Sequence, residues 1–392
     1  MRFACALQRY HLPNAVFLPR KEISNQFPPS PPTLQPQNSN SNSNSNSNSN
    51  SNSMLSDRLR RLLPLTPRRL RNLALLRASY LRASASGGRD VRIAGGPMSL
   101  SIEPTTSCNL RCPECPSGLR SFTRPTGMLA PEVLEGVLEE AAATLVYVSL
   151  YHQGEPMLHP RFPELVAACK RHRVYVSTST NAHFLTQERA EALVESGLDR
   201  LIVAVDGLTQ ETYAAYRRGG RLDKVMDGTA AIVEAKRRAG GRGPQVVWQF
   251  LAVGPNAHEV PQLAETARRA GVDEWVIKTA QIDTPHDGHP LLTDDPRLRR
   301  YDRSADGTWR LRNPLASRCW RMWQGAVVTW DGRVVPCCFD KDAHHVVGTV
   351  DTEPFREIWR GEAYAAFRRT LFADRASIAM CTNCTEGTRV YA

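Results

Sequence analysis

Between residues 98 and 280 two kinds of hydrophobic pattern alternate. Short β-branched or aromatic runs fall at 99–104, 145–151, 174–178, 200–205, 246–253 and 274–278. Between them, apolar residues recur at helical spacing in 131–143, 162–172, 187–195, 222–238 and 260–270. Pro131 suits a first helical turn, and Gly197 and Gly271 follow helix ends as stop signals. Strands alternating with helices predict an α/β fold with a parallel sheet. Six βα units fit a closed or three-quarter barrel, in which chemistry sits at the C-terminal ends of the strands.

The flanks read differently. Residues 281–313 are rich in Asp, Arg and Pro and read as a linker. A hairpin follows, with strands at 326–330 and 333–336 around Asp331-Gly332, a pair that favours a tight turn. Helical stretches come next, at 355–359 and 362–371. At the other end, residues 1–53 carry a Pro-rich stretch and then a strict Asn-Ser alternation, a composition that need not fold. Met54 is a candidate translation start. Residues 55–83 hold eight Arg and one Asp among leucines. Leu59, Leu62, Leu63, Leu70, Leu73 and Leu76 share one helical face, interrupted by Pro64 and Pro67. Two readings stay open for this segment: a helix lying on an anionic membrane surface, or a helix packed on the catalytic domain with its Arg residues in water. The resulting division is a leader (1–53), a basic helical segment (54–97), a barrel core (98–310) and a small C-terminal unit (311–392).

At 392 residues and 41% hydrophobic, the chain is long enough for a large core. No apolar run of about 18 residues is present, so a membrane-spanning helix is not expected, and the start lacks the pattern of a secretory signal. The net charge of +11 suggests a nucleic-acid partner until it is located: residues 1–83 hold 12 Lys and Arg against 2 acids, leaving the rest near neutral. No specific nucleic acid is therefore expected as a partner.

Candidate chemistry lies in the ten cysteines, seven of which fall in three close groups. Clustered thiols in a large chain without export signals point to metal binding in a reducing cytoplasm. Just after the first strand stand Cys108, Cys112 and Cys115, a C-x3-C-x2-C loop. Three thiolates can hold three irons of a [4Fe–4S] cube and leave the fourth open to another ligand. A closed zinc site would instead recruit a fourth protein ligand, for which His152 and His159 are candidates.

The cysteine loop after a first strand, with the strand-end motifs that follow it, resembles the radical S-adenosylmethionine (SAM) superfamily. The resemblance implies a partial (β/α)6 TIM-type barrel whose open iron binds SAM, and reductive cleavage of SAM to a 5′-deoxyadenosyl radical. Tyr151-His-Gln-Gly154-Glu155-Pro156 is similar to the family's Gly-Gly-Glu-Pro motif, with Gln153 at the first Gly; Gly154 and Glu155 are then expected near the SAM amine. Thr180-Asn181-Ala182 resembles its Thr-Asn-Gly end, placing Thr180 and Asn181 near the ribose or carboxylate. Asp206-Gly207, after Ala204 where the family has Ser, and the Arg217-Arg-Gly-Gly segment complete the series. Arg217 is expected to pair with the SAM carboxylate.

Farther on come Cys319, the pair Cys337-Cys338, and Cys381-x-x-Cys384. They resemble the SPASM and shorter twitch extensions of that superfamily, small α+β domains with auxiliary [4Fe–4S] clusters. Gly332-x-x-x-Pro336-Cys337 matches their recurrent hairpin segment, which selects Cys337 over Cys338. One auxiliary [4Fe–4S] cluster on Cys319, Cys337, Cys381 and Cys384 is expected, fully held by protein and suited to electron transfer; the same four thiols could instead hold structural zinc. Asp340 is a candidate proton acceptor during substrate oxidation. The implied function is oxidation or modification of a peptide, protein side chain or small molecule, with flavodoxin or ferredoxin as electron donor. The competing class is a zinc-stabilised scaffold without catalysis.

Overall fold

The computed structural model describes residues 57, 60–312 and 316–384. The low-complexity leader, Met54 and Cys5 lie outside the described residues.

Six parallel strands form the barrel wall in chain order: β1 (Ser99–Ile102), β2 (Tyr147–Ser149), β3 (Tyr175–Thr180), β4 (Arg200–Ala204), β5 (Gln245–Ala252) and β6 (Glu274–Thr279). Strands β1 to β5 are buried along their whole length, as a parallel sheet covered on both faces requires. Around them lie α2 (Pro131–Ala141), α3 (Phe162–Arg171), α4 (Gln187–Glu195), α5 (Leu222–Arg238) and α6 (Val260–Arg269). Residues at helical spacing turn inward on each, such as Leu134, Val137, Leu138 and Ala141 of α2. Thr186 caps α4 through a bond from Arg189 N, an ordinary N-terminal stop for a strand-to-helix loop.

The C-terminal hairpin extends this same sheet. Strand β9 (Gly325–Val328) pairs parallel with β1, β10 (Arg333–Val335) pairs antiparallel with β9, and the short β11 (Gly348–Thr349) closes that side. The turn holds four residues, 329–332, because Gly332 N bonds to Thr329 O and Gly332 takes φ +78°. Two helices, α7 (Phe355–Arg360) and α8 (Glu362–Ala373), pack behind the hairpin. Their core is aromatic around a buried cation: the Arg368 guanidinium lies 3.8 Å from the Tyr364 ring centre and 5.0 Å from that of Trp359. The linker expected at 281–313 contains a further antiparallel pair, β7 (Tyr301–Arg303) with β8 (Trp309–Leu311).

Helix α1 (Pro67–Ala85) departs from the leucine face expected for it. Arg69, Asn72, Leu76, Ser79 and Ala83 turn inward, while Leu62, Leu63 and Leu70 are exposed. The buried Arg69 sets this orientation. Its guanidinium donates to the carbonyls of Pro64, Arg173, Ala142 and His172, four acceptors at the N-terminal end of the barrel. Farther along, Tyr80 packs edge-on against Trp320 and Trp323, so α1 joins the barrel to the C-terminal unit. Below the barrel, buried Asp57 accepts from Tyr175, Arg61 and Arg200.

Candidate active site

The first centre is built where β1, β2 and β3 end. Cys108, Cys112 and Cys115 line a cleft of about 620 Å³, counting its open mouth, together with Tyr151, Glu155, Asn181 and Arg217. Two glycines let the loops approach. A Cβ on Gly118 would lie 2.6 Å from Cys112 N, and one on Gly154, already at φ +72°, would lie 2.2 Å from Thr105 O. Hydrogen bonds then stitch the turn after β2 to the cysteine loop, from Gly154 N to Ser117 Oγ (2.9 Å) and from Glu155 N to Ser107 O (2.7 Å).

Glu155 is buried and already engaged. It accepts from Met157 N (3.0 Å), the Thr180 hydroxyl (2.6 Å) and Asn181 N (2.7 Å). Burial raises its pKa, and these donors pull the other way. Asn181 in turn donates to Asn109 (2.8 Å) and lies 3.9 Å from Cys108 Sγ. Asp206, fully buried, accepts from Leu251 N (2.7 Å) and Arg217 Nε (2.5 Å), and Arg217 Nη1 reaches to 3.6 Å from Cys112 Sγ. All six residues expected near SAM are thus brought to one end of the barrel. Glu155 and Asp206 hold its other members in place.

Three sulfur donors lining one cleft are the donor type an iron–sulfur cluster takes, while among the described residues no three His, Cys, Asp or Glu stand together as a single-ion site. Burial, with Glu155 adding to it, pushes the Cys108 thiol up to about 12, and burial raises Cys115 as well. Burial thus favours the protonated thiols in metal-free protein, and iron held here would have to displace those protons. Two further cleft residues, Ser179 beside the Thr180-Asn181 strand end and Gln249, which the sequence reading missed, present a hydroxyl and an amide oxygen that are buried without hydrogen-bond partners among the described residues. Buried polar atoms of this kind are costly unless a ligand or water satisfies them. Their signal in the sequence was polarity inside strands that otherwise read as core.

Neither histidine considered for zinc joins the three thiols in lining the cleft. His159 uses both ring nitrogens, toward Leu129 O and Arg161 N. His152 is buried beside Asp340, Arg124 and Lys341, and burial first, then the Arg124 charge, push its pKa down to about 3. Asp340 is also absent from the cleft lining. Its two oxygens accept from His344 N and His345 N (2.8 Å each), which gives it a turn-holding contact.

The second centre gathers thiols from distant segments. Cys319, Cys337, Cys381 and Cys384 are all buried. Cys337, after β10, has Cys319 and Cys384 as charged-state neighbours, and burial raises its pKa. Arg375 organises the group. It donates to the carbonyls of Ala316 and Arg318 and to Cys384 Sγ (3.4 Å), and it faces Cys319 and Cys381 as well. Cys338 packs instead on Val327, Val335 and Ala343. Asn383, between the last two thiols, links the centres: it accepts from the Tyr301 hydroxyl (2.6 Å) and donates to Ile282 O (2.7 Å). Tyr301 and Ile282 pack in one cluster with Cys112 and Cys115.

Fold and site together define a parallel α/β barrel protein with two cysteine centres, one open to a cleft and one enclosed. Comparison with known proteins makes this specific. The family model of the radical SAM superfamily matches residues 102–267, and that of SPASM, an iron–sulfur cluster-binding domain, matches residues 319–385. The chain is 31% identical over 259 residues to the PqqA peptide cyclase of Gluconobacter oxydans, covering 62% of this chain and 70% of that protein. It is 24% identical over 316 residues to a tungsten-containing aldehyde ferredoxin oxidoreductase cofactor-modifying protein of Pyrococcus furiosus, covering 73% of this chain and 86% of that one. In fold it is similar to Streptococcus suis SuiB solved with S-adenosylmethionine, with a TM-score of 0.54 at 14% identity, covering 74% of this chain and 71% of that one. The chain belongs to the radical SAM superfamily and carries a C-terminal SPASM-type domain. The cofactors of that membership are [4Fe–4S] clusters and SAM. Among the described residues no helix is long and apolar enough to cross a membrane.

Proposed function

We propose that this protein reductively cleaves SAM in the cleft at the barrel mouth and uses the reaction to oxidise a peptide or protein side chain. The observation that carries this reading is that three thiols and an ordered set of polar groups share one cleft. Cys108, Cys112 and Cys115 would hold the first cluster; Cys319, Cys337, Cys381 and Cys384 would hold one auxiliary cluster. When bound, the first cluster with SAM supplies a hydrogen-abstracting adenosyl radical, and the second supplies an acceptor for one electron.

The chain's own residues do the positioning. Asp206 fixes the guanidinium of Arg217, which is left charged at the cleft wall to meet a carboxylate. Glu155 holds Asn181 and Thr180 so that the strand end keeps its shape beside Cys108. Ser179 and Gln249 offer one hydroxyl and one amide to whatever polar group enters the barrel. The relationship to PqqA peptide cyclase supports a peptide substrate, and a reduced flavodoxin or ferredoxin would supply the electron.

The test is anaerobic. Reconstituted protein should carry about eight irons and eight sulfides per chain, as two cubes require. With a strong reductant it should release 5′-deoxyadenosine from SAM. Colourless, zinc-loaded protein that leaves SAM intact would refute the reading. Mass spectrometry of candidate peptides then checks the substrate class, with a loss of 2 Da expected for a two-electron oxidation.

A further inference from the structure

The structure exposes leucines where a helix carries arginines. Five of the nine exposed large hydrophobic side chains among the described residues are leucines between 62 and 81, namely Leu62, Leu63, Leu70, Leu75 and Leu81. Exposed apolar residues scattered singly need no explanation, but a concentration on one short stretch does. On α1, Leu70, Ala74, Ala78 and Leu81 recur at three- and four-residue spacing and form an exposed stripe opposite the buried residues. Exposed Arg71 flanks it on one side beside Arg82, whose guanidinium pairs with Asp90 (2.9 Å), and Arg77 flanks it on the other, lying over the Tyr80 and Trp320 rings. From Arg58 to Arg89 the chain has nine Arg and no Asp or Glu, although Asp57 and Asp90 at its borders pair with Arg61 and Arg82, and Arg69 is buried.

We infer that this face of α1, with the leucines just before it, docks on an anionic lipid surface. An apolar stripe bordered by guanidinium groups matches the boundary between acyl chains and charged headgroups, where leucines enter and arginines pair with phosphate. A second copy of the chain would set arginines against arginines. Residues 1–53 carry four basic residues and one acidic residue, a net charge of the same sign as the helix. The anchoring also suits a docked enzyme. Arg69 fixes α1 to carbonyls at the N-terminal end of the barrel, the end remote from the cysteine cleft, so substrate access stays open while the helix is bound.

Co-sedimentation of the full-length protein with vesicles tests this. Vesicles of phosphatidylcholine with one third phosphatidylglycerol should carry the protein down; phosphatidylcholine alone should not. Raising salt should release it, since the arginines act through a screened field. Leu70→Glu with Leu81→Glu should lower the bound fraction by about tenfold or more. Arg68→Gln with Arg71→Gln should lower it less. Both pairs are exposed, so melting temperature and 5′-deoxyadenosine formation should stay at the parent values. Failure to bind anionic vesicles overturns the inference. So does binding that the leucine variant retains, which would place contact elsewhere. A leucine-dependent dimer in sedimentation velocity, without lipid association, would assign the face to a second copy instead.

Discussion

The two cysteine centres solve opposite problems. The first takes its thiols from one loop of eight residues, Cys108 to Cys115, and sets them in the wall of a cleft. The second collects four thiols from Cys319 to Cys384 and buries all of them around Arg375. A loop can present three ligands and leave a metal corner for a substrate; four ligands from separate segments close the corner and tie the segments together. Cys112 and Cys115 are as buried as the four C-terminal thiols, so the contrast teaches that ligand number and a bordering cleft, more than burial, separate a reactive centre from an electron-handling or structural one.

The sharpest way to break the comparison is to empty each centre in turn. Replacing Cys108, Cys112 and Cys115 with Ala should abolish 5′-deoxyadenosine release and leave about four irons per chain. Replacing Cys319, Cys337, Cys381 and Cys384 should also leave about four irons yet preserve SAM cleavage, while product formation is lost. If both variants cleave SAM equally, the two centres are not distinguished by their open corner.

Next in size is Arg375→Ala. It strips a buried cation from two carbonyls and from the thiols of the second centre. The expected cost is about 3 kcal/mol, read as a lowered denaturation midpoint with selective loss of the auxiliary iron. Gly154→Ala should act on the first centre alone. The new methyl would meet Thr105 O at a backbone φ of +72°, so about 1–3 kcal/mol of strain should appear as weaker SAM binding with the second centre's iron intact. Isothermal titration of SAM against the reconstituted variant checks it.

The smallest effect is a pH dependence that differs between metal-free and loaded protein. The Cys108 thiol is raised from 9.0 to about 12 in the folded chain. A raised acid holds its proton longer when folded, so its contribution is complete below pH 9 and is lost as pH rises toward 12. Metal-free protein should therefore lose roughly 1.4 kcal/mol per pH unit from this group above pH 9. Loaded protein, with the proton already displaced, should not show that loss. Urea denaturation of both forms at pH 8.5 and 10 makes the comparison.

Much of the barrel was legible in the sequence because each element carried its own period. Helix 187–195 is found at the residues its pattern predicts, and the six strands shift by only a few residues at their ends. Both cysteine sets were legible from spacing and resemblance. The rest depended on tertiary contact. The pair β7–β8 reads Tyr-Asp-Arg and Trp-Arg-Leu, too polar and short to announce strands. The inward face of α1 is set by Arg69 meeting four carbonyls, which no hydrophobic count could reveal. Nothing in the sequence marks out Asn383 between its two cysteines; the fold brings Tyr301 and Ile282 to it.

The most direct test of the contrast is electron paramagnetic resonance of the two reduced cysteine variants, each with and without SAM. Protein that keeps only Cys108, Cys112 and Cys115 should show a cluster signal that shifts when SAM is added. Protein that keeps only the four C-terminal thiols should show a signal that SAM leaves unchanged. A first-centre signal indifferent to SAM, or a second-centre signal that moves with it, would contradict the account.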